Sequence, residues 1–329
     1  MHILHQFILK DALYETEGAV ETADVPHTTD RRAAAGRPRV RLDLERWGNV
    51  AVAFSAIGFG LSPLLATRAF DHGVAPISAA FVRVTAVMLI MSPFARRAAR
   101  WGRQAWIVGG GGAISMLGFA GFFIALDRAP VAAATVVYYT YPVVVLALSA
   151  IMWRRRMHVW EAAMCAAVIV GVALAVGPIS MSGALIVALA PAFAAPVGWG
   201  VYLLVLSGPA AAMPTLPKVF AGSCGGAAVL LPIVLVTSGW QIVPATSGAI
   251  TSLALLTACT FAIPAVLVSW GAARSGERAT AMIGSAEFAV AVVIGWVFLG
   301  DDLSRLQVAG IALVLGAAVV AARRSDRAL

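Results

Sequence analysis

Long apolar runs follow one another along most of this chain and limit what it can fold into. Each run is close to the ~20 residues with which an α-helix crosses the hydrocarbon core of a bilayer. The ten runs lie at about residues 48–70, 75–95, 105–126, 130–152, 159–177, 183–206, 217–237, 249–271, 279–299 and 305–322. This pattern predicts an all-α polytopic membrane protein with ten transmembrane helices and mostly short connections.

Composition supports this class, because 60% of the 329 residues are hydrophobic and only 12% are charged. A soluble domain carries about 25% charged residues. The net charge of +8 does not indicate nucleic-acid binding, since the basic residues lie in the N-terminal tail and the short loops. Cys165, Cys224 and Cys259 fall inside apolar runs without a CxxC pattern, so we interpret them as small buried hydrophobic residues.

The distribution of arginines predicts the orientation in the membrane. Arginines cluster before run one, in alternate loops and after run ten, and these places share one side of the membrane if the N-terminus is cytoplasmic. The loop and C-terminal arginines are Arg96, Arg97, Arg100, Arg103, Arg154, Arg155, Arg156, Arg274, Arg278, Arg323, Arg324 and Arg327. We therefore expect an inner-membrane protein with both termini in the cytoplasm.

Two similar segments indicate an internal repeat. Run one contains Gly58-Phe59-Gly60, and run six contains Gly198-Trp199-Gly200 at an offset of 140 residues. Each half has five runs, so the second half enters the membrane from the opposite side. Inverted halves are common in transporters, which bind substrate near the midplane between the repeats. Glycines and prolines interrupt both helices, either as a functional break or because such residues assist helix packing.

The repeat and the tail composition define four regions. Residues 1–46 mix acidic and basic side chains, which predicts a disordered cytoplasmic tail or a start codon placed too early. The five-helix repeats are expected at residues 47–178 and 179–323, and residues 324–329 form a cytoplasmic C-terminal tail.

The two halves, closed by LGDDLSRLQVAGIALVLGA at residues 299–317, resemble the EamA-type branch of the drug/metabolite transporter superfamily over about residues 48–323. The stretch 260–307 is similar to the threonine/homoserine exporter branch in Pro264 and in the Ser285-Ala286-Glu287 element. Phe288 replaces the proline that follows the glutamate in that branch. The resemblance implies a central cavity lined by runs one, three, four, six, eight and nine, with runs five and ten peripheral.

Glu287 is the candidate site residue with the clearest physical argument, because it lies inside run nine. An ionised carboxylate at the centre of a membrane helix costs about 2.5–3.5 kcal/mol on insertion scales. Burial favours the neutral form of a carboxyl group, so Glu287 could carry a proton or bind a substrate ammonium. The alternative is a protonated Glu287 that is hydrogen-bonded to a neighbouring helix.

Arg83, Tyr141 and Tyr138 are the next candidates. Arg83 lies inside run two and would pair with Glu287 or with a substrate carboxylate, unless its side chain extends to the outer interface. Tyr141 matches Glu287 in the repeat at an offset of 146 residues. Tyrosines at this depth either present hydroxyls and ring faces to a cavity or pack between helices.

Three further residues complete the predicted substrate site. Trp199 and Phe59 lie between the paired glycines of runs six and one, and Ser285 precedes Glu287. Trp199 would either contact a substrate ammonium through its ring face or pack against another helix.

Transport is the function that these features favour. No nucleophile triad, metal cluster or nucleotide motif is present, and the glycines at 109–112 lack the Lys-Ser/Thr ending of a phosphate loop. We therefore expect a secondary transporter, not an enzyme, with no cofactor, a small-molecule substrate, the lipid bilayer as its environment and no nucleic-acid partner. The leading hypothesis is a proton-coupled exporter of amino acids or similar small polar metabolites. An efflux pump for lipophilic cations, a non-transport role and a homodimer are left open.

Overall fold

The computed structural model describes residues 37–126, 128–129, 131–154, 157–176, 183–239, 242–243, 245–299 and 304–325. Residues 44–329 form one compact unit, and residues 1–43 are assigned to another. Most of the predicted N-terminal tail lies outside the described residues, as do the GDDL turn at 300–303, Arg155, Arg156 and Arg327.

The regular structure of the described residues is entirely helical. The α-helices are α1 (Arg37–Gly60), α2 (Ser62–Asp71), α3 (Pro76–Ile90), α4 (Ala95–Arg100), α5 (Gly102–Leu126), α6 (Val131–Tyr138), α7 (Tyr141–Trp153), α8 (Val159–Val176), α9 (Gly183–Leu189), α10 (Ala194–Ser207), α11 (Thr215–Ser238), α12 (Ser247–Thr257), α13 (Ile263–Gly284), α14 (Ala286–Ile294) and α15 (Arg305–Ser325). Short 3₁₀ turns lie at Ser92–Phe94 and Ala190–Phe193, and π-helical turns lie at Ala258–Ala262 and Gly295–Leu299.

Seven helical stretches among the described residues are long and apolar enough to cross a membrane. They are Leu44–Asp71, Gly102–Phe122, Ala134–Trp153, Gly183–Ser207, Thr215–Ser238, Ser247–Phe298 and Arg305–Arg324. A bent pair, Pro76–Ile90 with Ser92–Arg100, turns by 53°, and Val159–Leu174 is a shorter apolar helix. Large apolar side chains such as Val236 lie on the outside. The polytopic membrane class predicted from the apolar runs is confirmed.

The stretch Ser247–Phe298 has 52 residues, about twice the length of one span. It is interrupted at Gly276, whose φ of 77° and ψ of 165° are not helical. A positive φ is accessible to glycine because it has no Cβ. Ser285 marks a second interruption, between α13 and α14. These two breaks set the positions of Glu277 and Glu287.

Glycines allow α5 and α11 to approach closely. A Cβ on Gly112 would clash with the Gly222 carbonyl group, and a Cβ on Gly225 would clash with that of Gly109. Gly109 and Gly112 therefore serve close helix packing. A similar contact joins α8 to α15, where a Cβ on Gly171 would lie 2.8 Å from the Gly310 carbonyl oxygen.

The paired glycines of run one face the helices of runs eight and nine. A Cβ on Gly58 would clash with Pro264. A Cβ on Gly60 would lie 2.7 Å from Val290 and 2.8 Å from the carbonyl oxygen of Glu287. Small residues at these two places let α1 lie directly against α13 and α14.

The paired glycines of run six face runs three and four in the corresponding way. A Cβ on Gly198 would lie 2.6 Å from the Ile114 carbonyl oxygen on α5. A Cβ on Gly200 would lie 3.4 Å from Val144 and Val145 on α7. Both glycine pairs therefore lie where their helix contacts two other helices.

Candidate functional site

Glu287 is placed by the break that separates α13 from α14. The Ser285 hydroxyl donates a hydrogen bond to the Met282 carbonyl oxygen at 2.6 Å, and α14 starts at the next residue. Glu287 therefore lies in the first turn of a helix, where the helix dipole favours a negative charge. Its side chain is buried, and its Oε1 atom has no hydrogen-bonding partner among the described residues.

Three tyrosines surround this carboxyl group. The Tyr138 side chain lies next to the Glu287 carboxyl group. The rings of Tyr138 and Tyr141 lie 5.6 Å apart, and Tyr139 meets Phe288 edge to face at 5.0 Å. The short break between α6 and α7 allows three residues so close in sequence to meet here. We call Tyr138, Tyr139, Tyr141 and Glu287 the tyrosine layer.

A cleft lies beside the tyrosine layer. It has about 40 Å³ of free space, enough for roughly three water molecules at 10–15 Å³ each. Phe59 and Trp199 form one wall and meet edge to face at 5.9 Å. The lining comes from Phe59, Val84, Gly112, Ser115, Met116, Trp199, Tyr202, Val219, Gly222, Ser223, Phe261, Ala265 and Val268.

The lining differs in part from the one that the family resemblance implies. Runs one, three, six and eight contribute, as expected, but runs two and seven line this cleft too, through Val84 and Ser223 for example. Runs four and nine lie next to it, in the tyrosine layer. Phe59, Trp199 and Tyr138 all pack against the buried cluster that contains Tyr139, Tyr141 and Phe288, so the cleft and the tyrosine layer are neighbours.

Arg83 points into the bundle on another side of the cleft. Its Nη1 donates to the Ser62 hydroxyl at 3.3 Å, and its Nη2 donates to the Thr260 carbonyl oxygen at 3.4 Å. The guanidinium also lies 5.1 Å from the centre of the Phe261 ring, which lines the cleft. These contacts replace the direct pairing with Glu287 that the sequence left open.

The predicted site residues therefore divide into four groups. Glu287, Tyr138 and Tyr141 lie together, and Phe59 and Trp199 form the adjoining wall of the cleft. Arg83 approaches the cleft through Phe261. Ser285 is fully buried, and its hydroxyl is bonded to the backbone.

A second buried polar cluster was missed in the sequence. The Glu277 carboxylate accepts a hydrogen bond from Ser149 at 2.6 Å. Arg278 donates to Ser149 through Nε at 3.0 Å and forms an ion pair with Glu161 at 2.7 Å. We call Ser149, Glu161, Glu277 and Arg278 the end cluster. The sequence indicates Arg278 only as a loop residue. The available signal was a pair of acids close to basic connections, with Glu161 just inside run five and Glu277 between runs eight and nine.

The EamA-like transporter family model matches two segments of the sequence, residues 46–177 and residues 183–323. The chain belongs to the EamA-like transporter family. This EamA-like transporter is therefore a membrane transporter of the drug/metabolite transporter superfamily. The family predicted from the closing segment of the second half is confirmed.

Solved structures share the fold of this EamA-like transporter. Chains from solved structures match it in 29 cases. One crystal structure superposes with a TM-score of 0.67 at 22% sequence identity, covering 82% of this chain and 95% of the other. No curated protein matches the sequence.

Proposed function

We propose that this EamA-like transporter exports amino acids or similar small polar metabolites from the cytoplasm, with Glu287 binding the substrate ammonium and a proton in alternation. The observation that carries the proposal is the buried Oε1 atom of Glu287, which has no partner among the described residues. Burying a carboxyl group without a partner is unfavourable, and ionisable groups retained in membrane helices commonly belong to substrate or proton pathways.

The surroundings of the cleft fit the rest of an amino-acid substrate. The Arg83 guanidinium makes its hydrogen bonds to a hydroxyl and a carbonyl oxygen, so its charge is available to a substrate carboxylate. The Nε atom of Arg83 is buried and has no partner among the described residues. Phe59 and Trp199 supply ring faces for an apolar side chain or for the ammonium.

The cleft also supports a second candidate, the efflux of lipophilic cations. Its lining side chains are mostly apolar and aromatic, which is the chemistry that recognises an organic cation. Arg83 beside Phe261 opposes this candidate, because it brings a positive charge close to the cleft. We therefore rank it below amino-acid export.

We further propose the inverted ten-span arrangement for the bundle. The seven apolar stretches become ten spans when the bent pair and Val159–Leu174 count once each and Ser247–Phe298 counts twice. The equivalent contacts of Gly58 and Gly60 in one half and Gly198 and Gly200 in the other support two halves of similar construction. The separate family matches to residues 46–177 and 183–323 support the same division.

Efflux measurements test the site directly. Cells that express the protein are loaded with labelled dipeptides, which release free amino acids inside, and the rate of amino-acid release is compared between wild type and Glu287→Gln. We expect export to fall at least tenfold, because glutamine cannot bind and release a proton. Glu45→Gln, outside the cleft and the tyrosine layer, is the matched control and should export normally. Wild-type cells that export no amino acid would refute the substrate class.

Arg83→Gln separates the two candidate functions. If Arg83 binds a substrate carboxylate, this variant should lose amino-acid export while Glu287 remains in place. Resistance to lipophilic cations, measured in the same strains, should not change. Strong wild-type resistance that increases further in Arg83→Gln would favour the cation pump.

A further inference from the structure

The end cluster lies where several helix ends meet. Ser149 is near the end of α7, Ser207 is the last residue of α10, and Glu161 is in the first turn of α8. Glu277 and Arg278 directly follow the break at Gly276. Ser149 is eight residues beyond Tyr141 on α7, so the end cluster lies about 12 Å along this helix from the tyrosine layer at 1.5 Å per residue.

The contacts of the end cluster connect the two halves of the chain. Glu161 on α8 holds Arg278 on α13 through both carboxylate oxygens, at 2.9 and 2.7 Å. Glu277 on α13 is bonded to Ser149 on α7 at 2.6 Å and to Ser207 on α10 at 3.5 Å. The ion pair is largely removed from solvent, with side-chain exposures of 12% for Arg278 and 5% for Glu161.

An apolar layer separates the end cluster from the tyrosine layer. Leu146, Cys165 and Met282 form one cluster, and each is almost fully buried. Leu146 lies between Tyr141 and Ser149 on α7, and Met282 lies between Arg278 and Glu287. Cys165 is one turn beyond Glu161 on α8. Along these helices, the ion pair comes first from this end of the bundle, the apolar layer follows it, and Glu287 lies beyond both.

We propose that the end cluster and the apolar layer beneath it are the cytoplasmic gate of the transporter, closed in this structure, and that the chain bends at Gly276 to open it. The gate rests on the proposed function, because it controls access of cytoplasmic substrate to Glu287. The arginine-rich loops place this end of the bundle at the cytoplasmic face.

The physical properties of the cluster suit a gate with two states. A buried ion pair is stable while both partners remain together, and breaking it without hydration is strongly unfavourable. Opening toward the cytoplasm hydrates Glu161 and Arg278 as they separate, which offsets the lost contact. Gly276, with its φ of 77°, provides a backbone position that adapts without a Cβ clash.

Cys165 reports the opening of this gate without any substrate. Cys224 and Cys259 are replaced by serine, and a membrane-impermeant thiol reagent is added to inside-out or right-side-out vesicles. Wild-type Cys165 is 4% exposed and should react slowly. Arg278→Gln should raise its labelling rate at least tenfold, in inside-out vesicles only. Arg274→Gln, four residues earlier in the sequence and on the other side of the break at Gly276, is the matched control and should label at the wild-type rate.

A charge exchange separates gating from general destabilisation. Glu161→Arg combined with Arg278→Glu should return the labelling rate toward wild type, whereas each single change should accelerate it. Size-exclusion chromatography identifies any variant that fails to fold. If Arg278→Gln fails to fold, Arg278→Lys replaces it; this variant keeps the charge and should give an intermediate rate of Cys165 labelling.

Three results would overturn the gate. They are equal labelling in wild type and Arg278→Gln, labelling from the outer face only, and an equal increase in Arg274→Gln. Cys165 labelling requires no substrate. A negative result in the export assay would therefore not contradict the gate proposal, and a negative labelling result would not contradict the proposed export of amino acids.

Discussion

Glu277 and Glu287 are ten residues apart on one helical stretch, and both are buried, but they have different surroundings. Glu277 is bonded to Ser149 and adjoins the ion pair between Arg278 and Glu161. Glu287 faces tyrosines and has one carboxylate oxygen with no partner among the described residues.

The two carboxylates differ in the counterions and hydrogen bonds that offset the cost of burying them. Charge in a low-dielectric interior is tolerated when a counterion and hydrogen bonds surround it, as they do in the end cluster. Glu287 has hydroxyl neighbours but no cation in contact among the described residues. We infer that the end cluster contributes to holding helices together, whereas Glu287 serves to bind a substrate ammonium or a proton.

The largest expected effect is the loss of the ion pair. Arg278→Ala leaves Glu161 buried without its cation, and we expect it to destabilise the protein by about 3–5 kcal/mol. Glu287→Gln should change the stability by less than about 1 kcal/mol, because it removes a poorly compensated group. Denaturant unfolding in detergent, followed by tryptophan fluorescence, measures both. The comparison fails if Glu287→Gln is the more destabilising variant.

An intermediate effect compares the paired glycines of the two halves. Gly60→Ala places a Cβ 2.8 Å from the Glu287 carbonyl oxygen, so α1 or α14 must move; overpacking of this kind costs about 1–3 kcal/mol. Gly200→Ala meets only the side chains of Val144, Val145 and Leu148, at 3.4–3.6 Å, and should cost less. Export assays and unfolding should show the same order, and equal effects would mean that the Gly60 contact adapts easily.

The smallest expected effect concerns the tyrosine next to Glu287. Tyr138→Phe removes the hydroxyl beside the Glu287 carboxyl group, so we expect a several-fold slower export and a change in stability of at most about 1 kcal/mol. Tyr139→Phe is the matched control, because Tyr139 packs on Phe288 through its ring and should retain export. If Tyr139→Phe slowed export and Tyr138→Phe did not, Tyr139 would be the tyrosine that acts together with Glu287.

Much of the candidate site could be predicted from residue type and position. A carboxylate inside an apolar run is conspicuous because its burial is costly, and Glu287 is buried as that argument requires. The glycine pairs were conspicuous as well, and they lie at close helix contacts. The partners of these residues were harder to predict. Arg83 and Glu287 are both charged residues within apolar runs, so a direct pair was one expectation. The Arg83 guanidinium contacts Ser62 and Thr260 instead.

The end cluster shows why loop residues are difficult to interpret from sequence. The sequence indicates Arg278 only as a determinant of membrane orientation, a role that depends on the side of the membrane on which the residue lies. Its pairing with Glu161 joins residues 117 positions apart, and no local pattern specifies such a distance. Ser285 is the opposite case, because its hydroxyl was expected to face substrate and instead bonds the backbone three residues earlier.

The sequence by itself determined the membrane class, the helical structure, the family and the presence of a carboxylate within an apolar run. These properties follow from residue type and from spacing along the chain, because a bilayer selects long apolar helices and makes every ionisable residue within them costly. Only the tertiary structure decided that tyrosines enclose Glu287, that Arg83 lies against Phe261 and that Arg278 pairs with Glu161. Those contacts join residues far apart in the chain, and helix packing alone brings them together.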